Sequence, residues 1–381
     1  MVTPTPISFG QVAMLCEGPE VYGIGTVLRL YAQAAPEVLF VCAEEGAFAA
    51  WLRERGLRYM VLNRRLKMDA QRSSLAFLPR VARGLAHTRK TAAILAPQLE
   101  REGIRVVHTH WLEQQVVAMW LRGRGFRSVW HLHNTTSRTR MMGLGLRLNH
   151  LLARRGADAL IPVSAFIAGP WRTSGVPIQV VRNAATRVFD APNTLAPTPI
   201  RCVIAGALDQ RKGHHLAVEG VIAARAQGVD VRLDLYGGPL ENNAYVDNLR
   251  ARVDSAGASE FVRFMGFRSD LRRHHQEYHL GLQCRVDPEP CSMWVCETLV
   301  DGLPLLAADN GGTPELVEDG TTGLLFESGN AQDLAAKLVR LAHEPSLLNE
   351  MRKAAFERGN LHFTTDRMIR ETLEAYRIAC G

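Results

Sequence analysis

Paired cysteines are missing from this 381-residue chain. Its seven cysteines, Cys16, Cys42, Cys202, Cys284, Cys291, Cys296 and Cys380, are odd in number, scattered, and nowhere spaced Cys-x-x-Cys. A disulfide framework and a zinc ribbon are therefore unsupported, and free thiols in a reducing cytoplasm are expected. A run of about 18 apolar residues is also missing, which excludes a transmembrane helix. The opening MVTPTPISFG has neither a basic nor an apolar signal region, so a cytoplasmic protein is expected. Tandem repeats and low-complexity tracts do not occur. Lysine is scarce, at 5 of the 45 basic residues, and arginine is the surface cation.

What is present is ordinary in amount and uneven in placement. Hydrophobic residues make up 47% and charged residues 22%, the proportions of a globular chain. At about 100–200 residues per domain, the length suggests two domains. Residues 1–190 hold 25 basic and 12 acidic side chains, a net of +13, and the remainder holds 20 and 26, a net of −6. A basic first half suits an anionic lipid surface or acidic substrate. It shows no nucleic-acid motif and no basic run interleaved with aromatics, so no nucleic-acid partner is expected.

Short apolar runs alternate with helical patterns. Strands are expected at 11–16, 37–43, 58–63, 105–111, 128–134 and 157–164. The Pro-rich stretch 190–199 breaks the rhythm like an interdomain linker. Strands resume at 200–206, 232–238, 261–266, 279–285, 304–309 and 323–327, and three helices close the chain. This alternation predicts two doubly wound parallel sheets, whose ligands bind beyond the carboxyl ends of the strands.

The residues after those strands carry the chemistry. Gly23 and Gly25 precede a helix and could let backbone N–H groups approach an anion, although GIGTVL lacks the third glycine of a dinucleotide fingerprint. Two strands end in histidine pairs, His108 with His110 and His131 with His133. At period two each pair shares one face of its strand, and together they look like the wall of a cleft. No cysteine or carboxylate lies nearby to complete a zinc site, so no metal is expected. In AGALDQRKGHH, Gly206 and Gly213 bracket Arg211 and Lys212 at a helix start, an arrangement suited to phosphate. The segment EPCSMWVCETLVDGLPLLAADNGGTPELV places Glu289 at a strand end, Glu297 eight positions on in a helix, and Gly311-Gly312 after the next strand. Two such carboxylates suit a polyhydroxy ligand, and the amides near Ser292 to Trp294 suit a diphosphate.

Together these motifs resemble the retaining nucleotide-sugar glycosyltransferases of the GT-B fold, glycosyl transferases group 1 (family 4). The EPCS…E…GLPLL…GGTPE segment matches that family's Glu-x7-Glu and Gly-Gly-x-Glu pattern in order and spacing. The glycine loop, VVHTHW, IPVS, VVRNA and the G-x5-KG turn follow in family order. The resemblance implies two Rossmann-like domains facing a central cleft. An acceptor domain is expected over 1–190, a nucleotide-sugar donor domain over 200–362, and a closing helix over 363–381 that packs back on the first domain.

It also implies a hexosyltransferase that moves a hexose-type sugar from a nucleotide-diphosphate sugar to a glycan or glycolipid, with retention. No metal or other cofactor is expected, and the nucleotide sugar is the co-substrate. The biosynthesis of a cell-surface polysaccharide or glycolipid is the expected setting. Glu289 would contact the transferred sugar, Glu297 the ribose, and Arg211 and Lys212 the diphosphate. Gly311 and Gly312 would line the sugar pocket, Gly23 and Gly25 would approach the diphosphate, and His133 would act near the reaction centre. The chain departs from the pattern at Ala207, where the family has Arg, at Cys291-Ser292 in place of Phe-Gly, and at Ala184-Ala185. An epimerase or phosphorylase of similar form, or a noncatalytic sugar-nucleotide binder, are the alternatives. The basic segments Arg138–Arg155 and Arg64–Lys90 predict a peripheral, salt-sensitive hold on anionic membrane.

Overall fold

A computed structural model describes residues 7–19, 23–64, 77–135, 144–239, 241 and 243–381. The chain forms two compact units, Met1–Arg182 with Thr365–Gly381, and Asn183–Thr364. Each is built on a six-stranded parallel sheet.

The first unit runs β1 (Val12–Cys16), α1 (Ile24–Ala34), β2 (Leu39–Cys42), α2 (Ala47–Glu54), β3 (Tyr59–Val61), α3 (Phe77–Arg101), β4 (Val106–Thr109), α4 (Leu112–Arg122), β5 (Arg127–Leu132), α5 (Leu144–Gly156), β6 (Ala159–Pro162) and α6 (Ala165–Ala168). The strand order is β3-β2-β1-β4-β5-β6. Both faces of this sheet are covered, which is why its strands read as unbroken apolar runs. Ala13, Leu15, Leu39, Val41 and Val107 pack with Leu95, Leu99, Val117 and Leu121 of α3 and α4. The alternate residues of β4 and β5, among them His108 and His131, point the other way, as period two requires.

The second unit runs β7 (Ile200–Ala205), α7 (His214–Ala226), β8 (Val231–Tyr236), α8 (Ala244–Ser255), β9 (Val262–Gly266), β10 (Leu280–Gln283), α9 (Met293–Val300), β11 (Leu305–Asp309), α10 (Thr313–Leu316), β12 (Gly323–Glu327), α11 (Ala331–His343) and α12 (Pro345–His362). Its order is β12-β11-β10-β7-β8-β9. Leu233, Leu235, Leu280, Leu282 and Phe326 form its core with Val221, Leu334 and Leu338. The Pro-rich stretch lies against this unit: Ala196 O accepts from His279 Nε2 at 2.6 Å, and Ala191 O from Gln276 Nε2 at 2.7 Å.

The last helix, α13 (Thr365–Cys380), belongs to the first unit. Tyr376 packs edge-on against Phe9, and Thr372 Oγ1 bonds Tyr31 Oη at 2.7 Å. The two parallel α/β sheets are the fold the sequence predicts.

Candidate active site

In the second unit the loop after β10 is built around a salt link and a clamp. Glu289 is buried, and its carboxylate meets the Arg285 guanidinium at 3.2 Å. Arg285 also forks onto Asp287 at 3.0 and 2.9 Å. Asn310, at the end of β11, ties the two loops together. Its amide donates to Arg285 O at 2.7 Å and to Ser328 Oγ at 2.9 Å. Gly312 N donates to Glu289 O at 2.6 Å. Gly311 has φ +57°, and a Cβ there would stand 2.4 Å from Glu289 O. A side chain at 311 would collide with the backbone that carries Glu289, so the Gly-Gly pair is a requirement of close approach. Glu289, Gly311 and Gly312 are thus brought together. Arg285 and Asn310 belong to the same cluster and were not singled out from the sequence. Their signals were the four-residue spacing from Arg285 to Glu289 and the asparagine heading NGG.

The G-x5-KG turn is docked on the same loop. Gly213 takes φ +71°, and a Cβ there would lie 1.8 Å from Cys284 O. Val286 N donates to Arg211 O at 2.9 Å. Asp209 caps the turn, accepting from Arg211 N at 2.9 Å and Lys212 N at 3.2 Å, and it also pairs with the exposed Arg211 side chain at 3.1 Å. The Lys212 ammonium has no carboxylate partner among the described residues. An unneutralised cation beside a carboxylate-bearing loop is what an anionic ligand needs.

Ser292 caps α9, its hydroxyl accepting from Val295 N at 3.4 Å. The Met293 and Trp294 amides have no partner among the described residues. Cys291 O is held by Asn183 Nδ2 at 2.8 Å, which gives the Asn of VVRNA a structural task within the second unit. Glu297 sits on α9, partly exposed, with no hydrogen-bond or ion-pair partner for its carboxylate among the described residues. Desolvation pushes its pKa up to about 7; the neighbouring Asp301 adds to the rise and Arg272 opposes it. Arg272 is spent on Asp301, which it grips at 2.6 and 2.9 Å.

In the first unit the histidine pairs meet. The register β4–β5 sets His108 opposite Val129 and so brings His131 and His133 beside the first pair. Rings stack along each strand, His108 on His110 at 4.7 Å and His131 on His133 at 4.1 Å. Across the strands His108 Nε2 lies 3.1 Å from His131 Nδ1, and His110 Nδ1 lies 2.9 Å from His133 Nε2. Tyr376 Oη of α13 closes the inner layer at 2.7 Å from His108 Nδ1. Burial holds all four well below the ordinary imidazole pKa, to about 3 for His108 and His133. His108, His110 and His131 are buried, so the cleft wall expected from sequence reduces to His133, which is partly exposed.

Nitrogens of His108, His110 and His131 lie within 4.8 Å of one another, the one such group among the described residues. Rings stacked at 20° and 26° send their lone pairs side by side instead of toward one point, and four of the nitrogens are already paired. The arrangement is a hydrogen-bonded ladder more than a tetrahedral metal cage. Gly23 and Gly25 open α1, Gly23 as its N-cap and Gly25 buried in its first turn. No hydrogen bond, ion pair or ring contact among the described residues joins them to His133. Arg138 and Arg140, in the basic segment, lie outside the described residues.

Residues 187–358 match the family Glycosyl transferases group 1, and residues 20–184 match the Glycosyl transferase 4-like domain. The putative colanic acid biosynthesis glycosyltransferase WcaL of Salmonella typhimurium is 28% identical over 204 residues, 50% of this chain and 49% of that protein. The amylovoran biosynthesis glycosyltransferase AmsK of Erwinia amylovora is 28% identical over 152 residues, 38% of this chain and 36% of that protein. In both cases the chain spans half or less of the relative's length. The crystal structure of Anabaena HepE with UDP superposes with a TM-score of 0.78 at 20% identity, covering 96% of this chain and 99% of that one. That likeness is one of fold, and it agrees with the paired sheets of a GT-B protein. With both halves matched, residues 187–358 by one model and 20–184 by the other, the chain belongs to the glycosyl transferases group 1 family.

Proposed function

We propose that the protein transfers a hexose-type sugar, with retention, from a nucleotide-diphosphate sugar to a glycan or glycolipid. The observation that carries this reading is the docking of the Lys212 turn onto the Cys284–Val286 backbone, one loop away from the Glu289–Gly311–Gly312 clamp. It brings the turn that carries Lys212, an ammonium with no carboxylate partner among the described residues, against the loop that leads to Glu289, whose carboxylate can accept sugar hydroxyls. Lys212, Arg211 and the free amides of α9 stabilise charge on the departing diphosphate, which is where a metal-independent transfer needs it. Glu289 holds the transferred sugar, Glu297 accepts the two ribose hydroxyls, and Gly311 and Gly312 line the sugar pocket. His133 acts on the same sugar near the reacting carbon, and the Gly23–Gly25 loop approaches the diphosphate. In the retaining path, the acceptor attacks the face that the leaving group departs from, and a leaving phosphate oxygen takes the acceptor's proton. No separate base is then required.

UDP in the HepE crystal structure and the polysaccharide pathways named for WcaL and AmsK support this donor and acceptor class. The test begins with thermal shifts across UDP-, GDP- and ADP-sugars. A donor at about 100 times its Kd should stabilise by about 2.7 kcal/mol. Mass spectrometry of glycan and glycolipid mixtures then seeks a new hexose, and NMR reads its anomeric configuration. A shift with no new glycosidic bond would favour the noncatalytic binder, and an inverted anomer would remove retention.

We propose in addition a peripheral hold on anionic membrane in the cell interior. On α5, Leu148 and Leu151 are 55% and 44% exposed and stand beside the exposed Arg147 and Arg155. On α3, Leu85 and Ile94 are exposed among Arg83, Arg89 and Lys90. These leucines do not all serve the core, and basic residues interleave them, which suits a membrane surface. No described helix is long and apolar enough to cross one. Flotation with anionic and neutral vesicles at low and high salt decides it. Equal recovery in the unbound fraction throughout would end the membrane claim.

A further inference from the structure

The protons of the histidine ladder cannot be placed one ring at a time. In the outer layer, His110 Nδ1 and His133 Nε2 are 2.9 Å apart, so one nitrogen carries the hydrogen and the other the lone pair. If His133 Nε2–H donates, the His110 proton must sit on Nε2. That atom is buried and has no acceptor among the described residues. If His110 Nδ1–H donates, His110 Nε2 is a bare lone pair, and no N–H is orphaned. Buried orphan N–H groups are rarer in proteins than under-used acceptors.

The inner layer obeys the same rule. His131 Nε2 is also buried without a partner, so the His131 proton sits on Nδ1 and is donated to His108 Nε2 at 3.1 Å. His108 then keeps its own proton on Nδ1 and donates it to Tyr376 Oη at 2.7 Å. This choice leaves no ring N–H of His108, His110 or His131 without an acceptor; the Tyr376 hydroxyl then accepts, and its own hydrogen has no acceptor among the described residues. The layers are stacked, and a charged imidazole in either would lie next to three others in a buried setting, so all four are neutral.

We infer that His110 is a positioning residue for His133: it fixes the tautomer in which His133 carries its proton on Nδ1, so that His133 meets a ligand as an N–H donor and never as a lone-pair base. His133 is the partly exposed member of the ladder, and its Nδ1 has no hydrogen bond among the described residues. Such a donor matches a sugar oxygen, hydroxyl or carbonyl. It does not match the removal of a proton from the acceptor, a task the retaining path leaves to the departing phosphate. The ligand side of this inference rests on the proposed role of His133.

The test is a long-range proton–nitrogen correlation spectrum of the full chain labelled with 15N-histidine, which reports which ring nitrogen of each histidine bears the hydrogen. His133 is assigned from the spectrum of His133→Ala. In the unaltered protein, His133 is expected in the Nδ1–H form. His110→Asn, whose amide nitrogen can replace Nδ1 as donor, should keep that form. His110→Leu, which has no donor, should release His133 toward the Nε2–H form that free imidazole prefers. Turnover should follow the tautomer, with kcat lowered about tenfold or more in His110→Leu, little change in donor KM, and recovery in His110→Asn. A His133 found in the Nε2–H form in the unaltered protein would overturn the inference, even if His110→Leu failed to fold. So would a tautomer unmoved by His110→Leu. If the tautomer responds as described while His133→Ala keeps full turnover, the ladder stands and the proposed role of His133 falls.

Discussion

Lowering the pH from 7 to 5 should weaken the first unit far more than its carboxylates alone would. His108, His110 and His131 are buried and held neutral: burial pushes the His108 pKa down to about 3 and holds His110 and His131 well below the ordinary imidazole value. In the unfolded chain a histidine titrates near 6.5. Between the two values the unfolded state binds more protons than the folded one, so stability falls as the pH falls through 6.5. From pH 7 to 5 the unfolded state gains about 2 kcal/mol through His108 alone, and His110 and His131 act in the same direction. The His108 figure does not depend on how far below 5 its folded value lies. Ordinary carboxylates stay ionised over that window and contribute little.

A domain commonly has about 5–15 kcal/mol to lose, so the effect should be large. Five of the six tryptophans, Trp51, Trp111, Trp120, Trp130 and Trp171, lie in the first unit, and urea unfolding followed by their fluorescence reads it selectively. With a slope of about 2 kcal/mol per molar urea, the midpoint should fall by about 1 M or more. His108→Asn takes up no proton and should recover about 2 kcal/mol of that pH dependence. A loss below about 1 kcal/mol between pH 7 and 5 would mean that the ladder is hydrated or already charged, and the reasoning would fail.

Other outcomes follow from the second unit. Gly311→Ala must push the Glu289 backbone away, so turnover should fall at least tenfold, with an on-site strain of about 1–3 kcal/mol seen as a lower melting temperature. Arg285→Ala leaves the buried Glu289 carboxylate without its cation and should cost about 3 kcal/mol or more in stability; an unchanged melting temperature would show that solvent reaches Glu289. Glu297→Ala should weaken donor binding by about 2 kcal/mol, measured by calorimetry. Because desolvation holds the Glu297 pKa at about 7, its ionised form grows as the pH rises. Nucleotide-sugar affinity should therefore rise roughly tenfold from pH 6 to 8, and Glu297→Gln should flatten that slope. An equal slope in the variant would assign the titration elsewhere.

The sheets were legible because a parallel sheet buried on both faces leaves unbroken apolar runs, and twelve such runs stand in the sequence. The histidines were legible as pairs, since His108–His110 and His131–His133 obey the strand period. Their union was not, because it depends on β4 lying beside β5 and on Tyr376, which is 268 residues from His108. The meeting of Glu289 with the Gly-Gly pair was legible from spacing. Arg285 and Asn310 were not, since an arginine or asparagine in a loop reads as solvated until the partner loop arrives. The exposure of Leu148 and Leu151 was also hidden, because a leucine at helical spacing usually faces a core.

The return of α13 to the first unit has a consequence for the order of synthesis. A ribosome delivers β1 to β6 early, then the whole second unit, and only afterwards the helix that covers Tyr31 and bonds His108. Until then one face of the first sheet, with its neutral imidazoles, waits uncovered while the second unit can already close on its own residues. The nascent protein should thus finish its halves in reverse order, the second before the first. A chain stopped after Thr364 would release a folded second unit attached to an unfinished, aggregation-prone first one.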